Sequence, residues 1–88
     1  MTEQARIYGK VLYELQIPED MVQETGRIFK ENPQLITLLN DPTVQIEKKK
    51  NIIGKIWKES EFSPLISSFL KKACESGCIG EIEDILTV

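Results

Sequence analysis

Helix-breaking residues recur so often in this 88-residue chain that they limit the length of every element it can form. Proline disfavours helical geometry in the residue before it and cannot continue a helix, so breaks are expected at Ile17-Pro18, Asn32-Pro33, Asp41-Pro42 and Ser63-Pro64. Gly77 is expected to add another break as a left-handed cap at a helix carboxyl end. Any regular structure must therefore consist of short pieces.

Apolar residues recur at helical spacing between these breaks, and no segment shows the alternation of a strand. Thr2 to Leu15 is expected to form the first helix with Thr2 as its N-cap, and Pro18, Pro33 and Ser63-Pro64 are expected to open the second, third and fifth. A fourth helix is expected between the third and the fifth, and a sixth from Ile79 onward. The pattern predicts an all-α fold, a compact bundle of five to six short helices. The side chains expected to face the core are Ala5, Tyr8, Val11, Leu12 and Leu15; Met21, Thr25, Ile28 and Phe29; Leu35, Ile36, Leu38 and Leu39; Ile52, Ile53, Ile56 and Trp57; Leu65, Ile66, Phe69, Leu70, Ala73 and Cys74; and Ile82, Ile85 and Leu86.

Two of these helices have intrinsic weak points. Gly26 lies within the second helix, where glycine costs up to about 1 kcal/mol against alanine, and this predicts a close crossing of another helix at that position. The fourth helix is rich in isoleucine, a modest helix former, so it is expected to depend on tertiary packing.

Length and composition indicate a single domain, residues 1–88, with 41% hydrophobic residues available for one core. The net charge of −3 and the pI near 5.0 disfavour nucleic acid or anionic lipid as a ligand. No apolar run approaches the roughly 20 residues that span a bilayer, and the amino terminus lacks the layout of a signal peptide. We therefore expect a protein of the cytosol or an equivalent compartment. Because the last segment stops at Val88 without a capping residue, we also expect a piece of a longer polypeptide.

The residues that carry catalysis or bind metals are scarce. The chain has no histidine, no glycine loop of the phosphate-binding type and only two cysteines, so we expect neither an enzyme nor a cofactor nor a metal site. Cys74 and Cys78 are interpreted as buried free thiols in preference to a disulfide. The lysines of Glu47-Lys48-Lys49-Lys50, with Lys55 and Lys58, are interpreted as a solvated helix face in preference to a nucleic-acid or lipid contact.

The first and fifth helices have broader apolar faces than short helices need for one core. Tyr8, Gly9, Val11 and Leu12 illustrate this on the first helix. On the fifth, the residues are Leu65, Ile66, Phe69 and Leu70. Two interpretations remain open: a well-filled core, or an exposed stripe that forms a groove for the amphipathic helix of a partner.

The order of several short motifs resembles a known family. Ala5 to Leu15 resembles the opening Tyr-Ala-x-Ala-Leu-x-Glu-Leu helix of the delta subunit of F-type ATP synthase, called the oligomycin-sensitivity-conferring protein in mitochondria. Gly9, Gln45 and Cys78 depart from the family pattern, standing where alanine, a serine or proline cap and an arginine are usual. The later landmarks that follow in the family's order are Phe29-Lys30-Glu31-Asn32-Pro33, Leu38-Leu39, Asp41-Pro42, Glu47-Lys48-Lys49 and Ser76-Gly77-Cys78-Ile79.

The resemblance implies the six-helix amino-terminal domain of a stator subunit, seated on the catalytic head of a complex that couples proton transport to ATP synthesis. As partner it implies the amino-terminal helix of an alpha subunit, held between the first and fifth helices. It also implies a peripheral location at the cytoplasmic face of a bacterial cell membrane, and a carboxy-terminal domain, absent from this sequence, that would grip the b subunit of the peripheral stalk. Matched by position, the groove residues are Tyr8, Val11, Leu12, Leu15, Leu65, Phe69 and Lys72.

Two other interpretations compete with this one. A helical scaffold or regulatory domain unrelated to ATP synthase would make the order of the motifs a coincidence. A nucleic-acid-binding helical domain would show salt-dependent binding to duplex DNA.

Overall fold

The computed structural model describes residues 2–58 and 60–86, and this part of the chain is helical without a strand. The all-α bundle expected from the sequence is confirmed. In chain order the elements are α1 (Glu3–Glu14), α2 (Glu19–Glu31), α3 (Pro33–Leu39), α4 (Ile46–Ile56), α5 (Pro64–Ser76), a single 3-10 turn (Ile79–Glu81) and α6 (Ile82–Leu86).

The helix boundaries follow the capping chemistry that the sequence predicted. The Thr2 side chain accepts a hydrogen bond from the Ala5 amide, and the Ser63 side chain accepts one from the Leu65 amide. Gly77 ends α5 with φ of 77°, the left-handed geometry expected of it. Pro18 differs slightly from expectation, since it occupies the N-cap position and α2 begins one residue later. The predicted end at Val88 lies outside the described residues.

The core forms around α5, which packs against α4, while α1 and α2 both pack against α6 and α3 packs against the 3-10 turn. Trp57, directly after α4, is buried, and its Nε1–H donates to Thr25 Oγ1 on α2 at 3.0 Å. The Phe29 and Trp57 rings lie 5.3 Å apart, so the same side chain joins α2 to the end of α4. The fully buried large side chains are Trp57, Phe29, Leu39, Ile53, Ile66, Leu70, Ile79, Ile82, Ile85 and Thr25.

Three expectations about packing need correction. Val11 and Leu65, predicted to face the core, are 40% and 44% exposed, because they lie at the margins of their apolar stripes. The close crossing predicted at Gly26 is wrong, since a Cβ there would meet no atom nearer than Leu86 Cδ1 at 3.9 Å. Lys49, predicted to be solvated, is only 7% exposed.

Candidate partner-binding surface

Helix α1 packs mainly against α6 and meets α5 through a few side chains. The Tyr8 and Phe69 rings meet edge to face with centroids 5.8 Å apart, and the Tyr8 hydroxyl bonds the Ser76 hydroxyl. One turn earlier on α1, Gln4 Nε2 donates to the Ser76 carbonyl at 3.5 Å. Since Gln4 meets only the last turn of α5 while Tyr8 also reaches back to Phe69, the two helices run antiparallel.

These contacts fix which side of each helix faces the seam. On α1 the stripe that includes Gln4 and Tyr8 continues at helical spacing through Val11 to Leu15. On α5 the corresponding stripe contains Leu65, Phe69, Lys72 and Ser76. Of the seven predicted groove residues, Tyr8 and Phe69 are in contact with each other across the two helices. For Val11, Leu15, Leu65 and Lys72 only helical spacing indicates a place along the same stripes, so the groove stays a prediction.

The floor of the seam is filled by the domain's own side chains. Phe69 is buried, and Tyr8 and Leu15 are half-buried against the core. Leu12 is buried as well and lines a cavity of about 240 Å³, together with Ile17, Val22 and Leu86 among others. A guest helix would lie on top of the seam and would not insert deeply into it.

Apolar side chains remain in solvent along the upper edges of this seam. Val11 and Leu65 are exposed, and Ile7 is 51% exposed one turn before Val11. Sequence reasoning missed Ile7, although its spacing of four residues from Val11 places both on one row of α1. We use the name α1–α5 surface for Ile7, Val11 and Leu65 with the half-buried Tyr8 and Leu15.

Lys72 borders this surface with an exposed side chain. Its Nζ lies 4.0 Å from Glu75 Oε2, and Glu75 is already paired with Lys50 of α4. The hydrogen bond from Lys50 lowers the pKa of the Glu75 carboxyl, with a further contribution from the charge of Lys50. The charge of Lys72 is therefore only weakly compensated within the domain.

Comparisons with known proteins decide the family. The model of the ATP synthase delta (OSCP) subunit family matches residues 5–88, nearly the whole chain. This chain belongs to the ATP synthase delta (OSCP) subunit family. The ATP synthase subunit delta of Lysinibacillus sphaericus strain C3-41 is 33% identical over 60 residues, which cover 60% of this chain and 34% of that protein. The chain thus spans about a third of the length of this relative. No solved structure matches significantly.

Family membership removes the premise of a scaffold domain unrelated to ATP synthase, because the ordered motifs are no coincidence. Within the described part of this delta-family chain, no helix is long and apolar enough to cross a membrane. The same part shows no group of three or more His, Cys, Asp or Glu side chains that could hold a metal ion.

Cys78 is a buried free thiol, as is Cys74. The interpretation of both cysteines as buried free thiols is confirmed. Burial raises the pKa of the Cys74 thiol to about 11, with the nearby Lys49 charge acting in the opposite direction. Burial also raises the pKa of the Cys78 thiol. Both groups therefore stay protonated and weakly nucleophilic near neutral pH.

The lysines of α4 and the turn that follows it lie in two different environments. Lys49 is buried, and its charge acts on both Cys74 of α5 and Asp41 before α4. Its aliphatic stem can cover apolar surface while the ammonium group stays near these neighbours. Lys48, Lys55 and Lys58 are exposed, as the solvated-face interpretation requires.

Proposed function

We propose that this chain is the amino-terminal part of a non-catalytic stator subunit, and that it docks the peripheral stalk of an F-type ATP synthase to the catalytic head. In this proposal the α1–α5 surface binds the amino-terminal helix of an alpha subunit. The observation that carries it is the exposure of Ile7, Val11 and Leu65 beside one seam. Solvent-exposed apolar rows at helical spacing suit the apolar face of an amphipathic helix.

Membership in the ATP synthase delta (OSCP) subunit family supports a place in this complex. The segment that grips the b subunit would belong to the remainder of the polypeptide. The protein would be held peripherally at the cytoplasmic face of a bacterial membrane through the complex. No catalytic residue, cofactor or metal is assigned to this part.

Burial of apolar side chains would provide most of the binding free energy. Removing apolar surface from water contributes roughly 25 cal/mol per Å², and association costs offset much of this. Because Tyr8 and Phe69 already close the floor, the gain must come from the exposed edges and from the half-buried Tyr8 and Leu15. An affinity in the micromolar range is the expected outcome for one helix on so shallow a surface.

The test is a titration of the 88-residue chain with a peptide of the cognate alpha subunit's amino terminus, followed by NMR. Shift changes should cluster on α1 and α5. Val11→Asp and Leu65→Asp should each weaken binding about tenfold or more, because a charge would be buried against the apolar face of the peptide. Tyr13→Asp is the matched control, since Tyr13 is 81% exposed and does not lie on the seam.

Circular dichroism of each variant should show unchanged helicity, since all three side chains are exposed. Shift changes confined to helices other than α1 and α5 would contradict the proposal. So would equal losses of affinity in the Tyr13 and Leu65 variants.

A further inference from the structure

Charge is divided unevenly along the chain. Residues 44–76 contain seven lysines and four glutamates, while the remaining residues contain four basic and ten acidic side chains. The segment that carries α4 and α5 is therefore net positive within an acidic protein. Such separation creates a local potential that attracts groups of opposite charge.

This positive segment borders the α1–α5 surface on one side only. Lys50 meets Glu75, and Lys71 Nζ lies 3.9 Å from where a Cβ of Gly54 would be, so α4 runs antiparallel to α5. Lys58 follows the end of α4 and is exposed. We name the two lysines on α5, Lys71 and Lys72, the basic flank.

The opposite edge of the surface, on the outer side of α1, has mixed charge. Glu3 lies four residues before Ile7, and Arg6 Nη2 binds the Glu3 carboxylate at 2.9 Å. Lys10 and Glu14 follow on the same outer side. These four side chains balance, whereas on the side of α5 that faces α4 the three lysines Lys50, Lys71 and Lys72 outnumber the one carboxylate, Glu75. An incoming helix would therefore meet more positive potential along α5 than along α1.

We propose that the α1–α5 surface selects an amphipathic helix with acidic side chains along one edge, and that the basic flank fixes the direction in which this helix lies. The proposal rests on the proposed function for the place of binding and adds the chemistry and orientation of the partner. A helix with its apolar face down has two edges, and reversing its direction exchanges them. Only one direction therefore places an acidic edge over the lysines.

Electrostatic complementarity of this kind affects association rate and register more than affinity. Exposed ion pairs contribute little each, and salt screens them over about 10 Å at 0.1 M ionic strength. The basic flank should therefore matter most at low salt and in the association step.

The first experiment measures binding kinetics of the 88-residue chain and the alpha-subunit amino-terminal peptide at 20 mM and 500 mM NaCl. Lys72→Glu should weaken binding about five- to tenfold at low salt, mainly through slower association, and less than about twofold at high salt. Lys30→Glu, an exposed lysine of α2 with the same charge change, should alter binding less than about twofold at both. Equal effects of the two substitutions would overturn the proposal.

The second experiment places a nitroxide at the amino end of the peptide. In the wild-type chain it should broaden NMR signals at one end of the seam, either near Gln4 and Ser76 or near Leu15 and Leu65. Lys72→Glu should spread the broadening towards both ends. Equal broadening at both ends of the wild-type seam would overturn the inferred direction while leaving the docking site intact, whereas absence of peptide binding would overturn the proposed function as well.

Discussion

Two aromatic pairs join helices in this bundle, and the domain closes around them to different degrees. Phe29 and Trp57 pack at 5.3 Å with an interplanar angle of 30°, and both rings are buried. Tyr8 and Phe69 pack at 5.8 Å with an angle of 64°, and Tyr8 is only half-buried. The first pair lies inside the core, whereas the second forms the floor of a surface whose edges are in water.

The polar groups of the two pairs differ in the same way. The indole N–H of Trp57 donates to Thr25 Oγ1, which in turn donates to the Met21 carbonyl at 2.8 Å, and this chain of bonds is enclosed. The Tyr8 hydroxyl instead meets Ser76 at the last turn of α5. The comparison teaches that the domain encloses one aromatic pair completely and leaves the other partly exposed to solvent.

The largest expected effect on stability comes from removing the Thr25 hydroxyl beside the buried aromatic pair. Thr25→Val keeps the shape of the side chain but removes the acceptor of the buried Trp57 N–H. The free energy of unfolding should fall by about 1–3 kcal/mol, the cost of an unsatisfied buried donor. Urea unfolding measures it, and Thr25→Ser, which retains the hydroxyl, should recover most of the hydrogen-bond contribution.

Tyr8→Phe makes the equivalent change at the open pair. The loss there should stay within about 0.5 kcal/mol, because water can replace the lost hydroxyl and Ser76 Oγ also donates to the Lys72 carbonyl at 3.0 Å. Similar losses in the Thr25 and Tyr8 variants would show that the two seams are equally closed, which contradicts the comparison.

Much of the fold was predictable because the decisive signals act within one turn. Thr2, Pro33, Ser63 and Gly77 set helix ends through their own dihedral angles or hydrogen bonds, and each does so in the structure. The burial of Ile53 likewise followed from helical spacing. Such signals need no knowledge of how the helices pack.

The rest depends on neighbours distant in sequence. Nothing local indicates that Lys49 is covered, that Trp57 finds Thr25, or that Leu65 remains uncovered at the edge of its stripe. The candidate surface was reached through family resemblance, since a helical wheel gives the apolar face of α5 but not which part of it another helix covers. The exposure of Ile7 became visible only in three dimensions.

A second, smaller effect concerns the pH dependence of stability, which should differ between a buried and an exposed side chain of α5. Cys74 lies on the buried face of α5 near Lys49, and burial raises the pKa of its thiol from 9.0 to about 11. A pKa raised on folding contributes stability that is complete below pH 9 and lost as pH rises towards 11. The stability difference between wild type and Cys74→Ala should therefore shrink by on the order of 1 kcal/mol between pH 8 and pH 11.

The control for this titration is Ser68→Ala on the exposed face of α5, because the Ser68 side chain lies in solvent and does not ionise. Its stability difference from wild type should be constant across the same pH range. Chemical denaturation at each pH measures both differences. A constant difference for Cys74→Ala would show that the Cys74 thiol is solvated. The face of α5 that carries it would then be as exposed as the face that carries Ser68.

The smallest effect tests how closely α2 and α6 pack against each other. Gly26→Ala should raise the free energy of unfolding by about 0.5–1 kcal/mol, since a methyl group there would make ordinary contact with Leu86 at 3.9 Å and glycine weakens a helix. Gly54→Ala at an exposed position of α4 should raise the free energy of unfolding by a similar amount, because only the flexible end of the Lys71 side chain is near. If thermal unfolding shows a gain at Gly54 but a loss at Gly26, the two helices cross more closely than the structure places them.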